Sequence, residues 1–304
     1  MPSQEPTKTT RARWPRRLLT LLVVVLIAAF VVMFIVIPIG FGIAATAAPR
    51  QAVGVPPDGF ESLSLTTAGG DRLAAWYLAP RNGAVIVLLH GASTSREAMR
   101  PYAAMLARHD FGVLALDLRG HGESEGNTNL FGWEGNEDVA AAMAFLGTQA
   151  DVVTVGGLGL SLGGEVLLGA ASENPQMRVI VSEGATHRTL EEFHAVPSHN
   201  NPVSSLQPMV TYTTVYVLTG ETPTTSILHS IEATRTTAFL LIAAANTPDE
   251  AEFNTIFAAA APGRADLWVI PDVGHVGGFD HDPAEYERRV VDFFSAALLQ
   301  GQAS

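Results

Sequence analysis

The chain contains no cysteine in its 304 residues. Disulfides, thiolate metal sites and a cysteine nucleophile are thereby excluded. Charge is scarce and one-sided: 18 Lys and Arg stand against 30 Asp and Glu, a formal net charge of −12. Five of the basic residues, Lys8, Arg11, Arg13, Arg16 and Arg17, fall in the first 17 positions, with Glu5 as their one acidic neighbour. The remainder keeps 13 basic and 29 acidic residues, a balance of −16. So acidic a domain repels nucleic acid and anionic lipid surfaces. No Walker-type phosphate loop is present, and Gly157 and Gly159 do not extend into a dinucleotide fingerprint with its downstream acid. His187, Glu191, Glu192 and His194 lack the spacing of a zinc motif and read as a solvated helix face, so no metal is expected.

What the chain does have is a long apolar run. From Leu18 to Ala45 no residue is charged, and Leu, Val, Ile, Ala and Phe dominate. Such a run exceeds the roughly 20 residues that cross a bilayer as a helix, and far exceeds the roughly 7–15 of a signal-peptide core. Ala45-Thr46-Ala47 has the small-residue character of a cleavage site, so a removed leader is the alternative. Basic residues crowd the near side of the run and only Arg50 closely follows it. The positive-inside rule then keeps the N-terminus cytoplasmic and places the rest of the chain outside, with Trp14 as an interfacial anchor. The organisation expected is a basic tail over 1–17, a transmembrane helix over 18–45, a linker over 46–58 and a large domain over 59–304.

Within that domain, apolar runs end repeatedly in polar, glycine-bearing loops. Glu61–Leu65 and Arg72–Leu78 form an antiparallel pair around a turn at Gly69-Gly70. Ala84–Leu89, apolar throughout as suits a central parallel strand, ends in His90-Gly91-Ala92-Ser93. Phe111–Leu116 ends in Asp117-Leu118-Arg119-Gly120-His121-Gly122-Glu123-Ser124. Val152–Val155 precedes Gly157-Leu158-Gly159-Leu160-Ser161-Leu162-Gly163, which contains G-x-S-x-G at Gly159, Ser161 and Gly163. Leu267–Pro271 leads into Asp272-Val273-Gly274-His275. Strand–loop–helix alternation of this kind predicts a mostly parallel sheet with helices on both faces. The exception is 184–237, about 55 residues without a βα rhythm, too long for a simple connection. Inside it, Leu206–Gly220 is apolar and aromatic but too broken by threonine to span a membrane. It reads as a buried cap helix, with an acyl-pocket lining or a position near the bilayer surface as alternatives.

With H-G, D-x-R-G-H-G-x-S, G-x-S-x-G and a late G-H in this order, the chain resembles the α/β-hydrolase family, in the serine-hydrolase branch of esterases, acyl lipases and S33- or S15-like peptidases. The resemblance implies an α/β fold with a mostly parallel, doubly wound sheet, a cap insertion at about 184–237 and no cofactor. It implies Ser161 as nucleophile, His275 as general base, and the backbone N–H groups of Leu162 and Ala92 as oxyanion donors. Its acid belongs just beyond Phe239–Ala245. Ungapped spacing lands there on Asn246, which cannot stabilise imidazolium by charge. A slightly longer loop brings Asp249, the preferred reading, or Glu250. His121 and His90 read as structural parts of their loops, and His281 as a poorer match than His275. The function so implied is hydrolysis of a carboxylic ester, lipid-derived or small, through an acyl-enzyme. The alternatives are a prolyl-type exopeptidase or an inactive binding module.

Overall fold

Eight strands form one sheet in the order β1-β2-β4-β3-β5-β6-β7-β8. In this computed structural model, residues 14–47 and 50–299 are described; Lys8, Arg11 and Arg13 of the expected basic tail lie outside the described residues. The strands are β1 (Glu61–Thr66), β2 (Arg72–Leu78), β3 (Ala84–Leu89), β4 (Gly112–Leu116), β5 (Thr154–Leu160), β6 (Met177–Glu183), β7 (Ala238–Ala244) and β8 (Ala265–Ile270). β1 and β2 pair antiparallel, β2 pairs antiparallel with β4, and every pairing from β4 to β8 is parallel. The expected mostly parallel sheet is therefore present. Its central strands are buried on both faces, with β3 and β4 wholly so.

β5 begins and ends later than its apolar run alone suggests. Val152 and Val153 precede it, while Gly156, Gly157 and Gly159 lie inside it. Those glycines are there for close packing: a Cβ on Gly156 would come within 2.8 Å of Val179, and one on Gly157 within 3.0 Å of Leu167. One face of the sheet carries the apolar sides of α4 (Gly135–Leu146), α5 (Leu162–Ala170) and α9 (Glu250–Ala260). The other is covered by α3 (Arg100–Ala107) and α11 (Pro283–Leu298). The switch in strand order lies at β3, whose neighbours are β4 and β5, and crevices at such points are where open α/β sheets bind ligands.

At the N-terminal end, α1 (Trp14–Val31), a π turn (Val32–Val36) and α2 (Ile37–Thr46) form one continuous rod. The π turn has a local cause. Pro38 has no N–H to give the carbonyl four residues back, and its ring crowds that carbonyl, so the helix widens just before it. Arg17–Thr46 is long and apolar enough to cross a membrane, with a mean hydropathy of 3.4 over its most apolar 18 residues. Among its described side chains only Pro38, Gly42 and Ala45 are buried.

The segment 184–237 contains α6 (Leu190–Ala195), a short 3-10 turn (Pro197–His199), α7 (Leu206–Thr219) and α8 (Ile227–Ala233). α8 packs on α5 and α9, whereas α7 packs on α2. α7 is thus not the plainly buried helix expected. Thr211, Tyr212 and Val215 are buried, but Met209, Tyr216, Val217 and Leu218 face outward. Glu192 also departs from the solvated face expected of it. Its buried carboxylate accepts the Thr189 N–H at 2.7 Å and the Thr189 hydroxyl at 2.6 Å, closing a capping box at the start of α6.

Candidate active site

At the end of β5 the backbone turns sharply into α5, with Ser161 at the bend. Its φ of 51° and ψ of −117° lie in a region that side-chain-bearing residues avoid. Two glycines make the bend possible. A Cβ on Gly159 would sit 2.3 Å from the Gly163 carbonyl carbon, and one on Gly163 would sit 2.2 Å from the Leu89 carbonyl oxygen. The Ser161 N–H donates to the Glu183 carbonyl at 2.7 Å, tying the bend to β6. Strain held by surrounding structure in this way marks functional turns.

His275 reaches the serine from the loop after β8. The Ser161 hydroxyl donates to His275 Nε2 at 2.8 Å, and His275 Nδ1 donates to Glu250 Oε2 at 2.6 Å. Glu250 is fully buried at the first turn of α9. Its other oxygen accepts the Ala244 N–H at 2.6 Å, so the carboxyl is fixed from two sides. The Glu250 hydrogen bond pushes the His275 imidazole above its ordinary pKa, against the opposing effect of burial. Gly184 gives the histidine loop room: a Cβ there would lie 3.0 Å from His275 Cε1 and 2.9 Å from Val276. Buried Glu183 holds the loop's far end, accepting the Gly278 N–H and the Tyr286 hydroxyl, each at 2.8 Å.

Asp249, the acid preferred from sequence, does not face His275. Its side chain meets His199 Nε2 at 3.1 Å, on the cap side. The cause is the backbone. Asp249 caps α9 in the left-handed region, with φ 61° and ψ −12°, and this turns it outward while Glu250 points in. Asn246 is exposed, and its N–H closes the loop onto the Val273 carbonyl at 3.1 Å. His281 is exposed on α10 (Gly278–His281), beyond the loop that carries His275.

One oxyanion candidate opens the helix after the bend, and the other follows a glycine that packs on it. Leu162 is the first residue of α5, so its N–H has no intrahelical carbonyl to bond. Gly91, next to Ala92, packs on the same turn: a Cβ there would be 3.5 Å from the Leu160 carbonyl oxygen and from Ser161 Cβ. His90 shapes this loop. Its Nε2 accepts the Leu118 N–H at 3.1 Å and its Nδ1 donates to the Gly91 carbonyl at 2.8 Å. Complete burial, helped by neighbouring His121, pushes His90 down to about 3, so it stays neutral. The D-x-R-G-H-G-x-S residues are occupied in building their own loop. Asp117 accepts the N–H groups of Arg96 and Glu123, at 2.6 and 2.9 Å, and pairs with the Arg96 guanidinium. Arg119 pairs with Asp138 at 2.9 Å, and His121 Nδ1 donates to the Arg119 carbonyl at 2.9 Å.

Two further polar residues had no signal in the sequence. Glu165 on α5 accepts the N–H and hydroxyl of Thr186, each at 2.9 Å, pinning the strand exit beside Gly184. Arg188, fully buried, donates to Asn136 and to the Glu165 and Phe131 carbonyls, tying the base of the cap to the body. Both draw their partners from distant segments, which no local motif encodes.

Residues 80–235, just over half of the chain, match the family model described as serine aminopeptidase, S33. The chain belongs to this family of α/β hydrolases. A thiohydrolase, aneE, of Aspergillus aculeatus is 32% identical over 123 residues, covering 39% of this chain and 39% of that protein. An uncharacterized protein of Mycobacterium tuberculosis is 27% identical over 233 residues, 74% of each chain. The chain spans 39% of the Aspergillus protein and 44% of a Salmonella typhimurium relative, YfhR. Among solved structures, the esterase Pf2001 of Pyrococcus furiosus superposes with a TM-score of 0.67 at 22% identity, covering 84% of this chain and 98% of that one. The Rhodococcus esterase RhEst1 gives 0.56 at 17% identity, covering 78% and 99%. At such identities these two likenesses speak for the α/β-hydrolase fold.

Proposed function

We propose that this protein is a membrane-anchored serine hydrolase that cleaves carboxylic esters through an acyl-enzyme on Ser161. The observation that carries the reading is the unbroken hydrogen-bond chain from Ser161 through His275 to buried Glu250. In the first half-reaction the Ser161 oxygen attacks the ester carbonyl while His275 Nε2 takes the hydroxyl proton. Glu250 holds the imidazole in the tautomer that leaves Nε2 free to accept, and balances the imidazolium that results. The Leu162 and Ala92 N–H groups receive the oxyanion. His275 then gives its proton to the departing alcohol as the ester C–O bond breaks. Water, deprotonated by the same histidine, releases the acid and restores Ser161.

Retention of the N-terminal helix is supported by its packing. Ala45 is fully buried with Trp133, Tyr212 and Val215, a cluster that loss of the helix would uncover. The Leu130 N–H also donates to the Ala45 carbonyl at 3.1 Å. With Arg16 and Arg17 on the near side, the hydrolase domain lies on the extracytoplasmic face.

Full-length protein in detergent, offered p-nitrophenyl butyrate, a butyryl thioester and a prolyl anilide, is expected to hydrolyse the ester fastest. Turnover of the anilide alone would contradict the ester reading. The pH profile has a definite sign. His275 accepts a proton only when neutral, so kcat/KM rises with pH along a limb whose midpoint lies above that of an ordinary imidazole. Removing the Glu250 charge removes the upward push and moves the limb to lower pH. A limb unmoved in Glu250→Gln would separate Glu250 from His275.

A further inference from the structure

α2 and α7 run side by side in the same direction. Gln207 Nε2 donates to the Met33 carbonyl at 3.1 Å, and the Thr211 hydroxyl donates to the Pro38 carbonyl at 3.3 Å. Further up, Gly42 abuts Thr214 so closely that a Cβ would lie 2.8 Å from Thr214 Cβ. A small residue at a helix crossing lets two backbones approach, as in membrane helix pairs. The Met33 carbonyl is available because the π turn turns the Ile37 N–H to the Val32 carbonyl, and Pro38, next in that register, has no N–H to give. A simple tether needs no such seam, since a linker alone would hold the domain at the bilayer.

Between this seam and the body of the domain lies a cavity of about 250 Å³. Ile37, Pro38 and Phe41 form its membrane-helix wall, and Phe131, Phe193 and Tyr212 face them. His187 joins the domain side, with its Nδ1 and the Tyr212 hydroxyl 2.8 Å apart. Burial pushes His187 down to about 4, so the wall carries no charge at neutral pH. His187 connects this cavity to the elements that carry the catalytic residues. The His187 ring lies 5.4 Å from that of Phe253, one turn beyond Glu250 on α9. Back along the chain from His187, Gly184 packs on His275.

On the outer side of the seam a second cavity, of about 410 Å³, is lined by Ile39 and Ile43 with Met209, Val210, Val217 and Leu218. Val217 is 72% exposed and Leu218 53% exposed, continuing the bare apolar surface that Ile39 and Ile43 present on α2. The helical rod explains what covers them. Its 30 residues rise ~45 Å at 1.5 Å each, against a hydrocarbon core of ~30 Å. About 20 residues suffice for that core, so α2, with α7 beside it, stands at the exit face of the bilayer.

We propose that α2 is a wall of the substrate pocket as well as an anchor. The enzyme draws a long-chain acyl ester directly from the bilayer, its chain lying between α2 and the Phe131–Phe193–Tyr212 face while its carbonyl meets Ser161. This rests on the serine-hydrolase reading and adds to it the substrate class and the role of the membrane helix.

The test uses full-length protein in phosphatidylcholine vesicles, a zwitterionic lipid that suits the acidic domain, and a hexadecyl fluorophosphonate with a diazirine at the chain end. The Ser161 oxygen bonds to phosphorus as fluoride leaves; irradiation then fixes the chain end to whatever it touches. Cross-links are expected on peptides holding Ile37–Phe41 and Leu206–Tyr212. A Ser161 adduct whose chain maps elsewhere, or to no peptide, overturns the pocket. Absence of any adduct removes the serine-hydrolase reading itself, and the pocket with it. A second measurement needs no cross-link. Phe41→Trp, which fills the cavity from the membrane-helix side, is expected to lower the palmitate-to-butyrate ratio of kcat/KM about tenfold. An unchanged ratio counts against α2 as a wall.

Discussion

Glu250→Gln lowers kcat for p-nitrophenyl butyrate by about 10³–10⁴-fold, whereas its chain neighbour Asp249→Asn changes it by no more than a few fold. The contrast follows from where the two side chains point. Glu250 is buried with one oxygen 2.6 Å from His275 Nδ1, and Asp249 lies outside against His199. The amide keeps the size of the acid and still offers an oxygen to the Ala244 N–H, so the turn retains its support. It loses the charge that balances imidazolium, and it offers an N–H donor that favours the wrong imidazole tautomer. Steady-state rates on the two full-length variants, with far-UV circular dichroism as a check on folding, decide the point. A large loss in Asp249→Asn with Glu250→Gln unaffected would return the acid's role to Asp249.

Ser161→Ala carries the larger effect, a loss of about 10⁶-fold in kcat. Removing the oxygen leaves no nucleophile for the acyl-enzyme, and what survives is the little that oxyanion donors and binding supply. Alanine inherits the backbone angles of the bend, and the Gly159 and Gly163 contacts that permit them are untouched. The thermal midpoint is accordingly expected to shift by no more than a few degrees. Turnover retained in a folded Ser161→Ala protein would displace the nucleophile from the bend.

The fold was legible from sequence because its signals are steric and local. Glycines at 159 and 163 stand where any side chain would strike the opposite backbone, and the apolar run 84–89 is that of a strand covered on both faces. The order of β3, β4, β5 and β8 with their loops followed from these runs. The acid was not legible. Whether residue 249 or 250 faces the histidine depends on one φ angle, and the left-handed turn at Asp249 leaves no mark beyond the tolerance of aspartate for it. In the sequence the threonines of 206–219 merely interrupt an apolar stretch. Two of them lie on the contact face of a helix pair: Thr211 bonds to Pro38 and Thr214 fills the space over Gly42. Partners so distant in sequence leave no periodic pattern. Glu183, Glu165 and Arg188 escaped for the same reason, as buried polar groups whose partners come from other segments.

The most direct test of an activated serine at the bend is covalent capture. Full-length protein in lipid nanodiscs is treated with a fluorophosphonate–biotin probe, digested, and mapped by mass spectrometry. The expected result is one adduct, on the peptide carrying Ser161, missing in Ser161→Ala and formed far more slowly in Glu250→Gln. A folded protein that takes no probe, or takes it on another serine, contradicts a hydrolytic centre built on Ser161, His275 and Glu250.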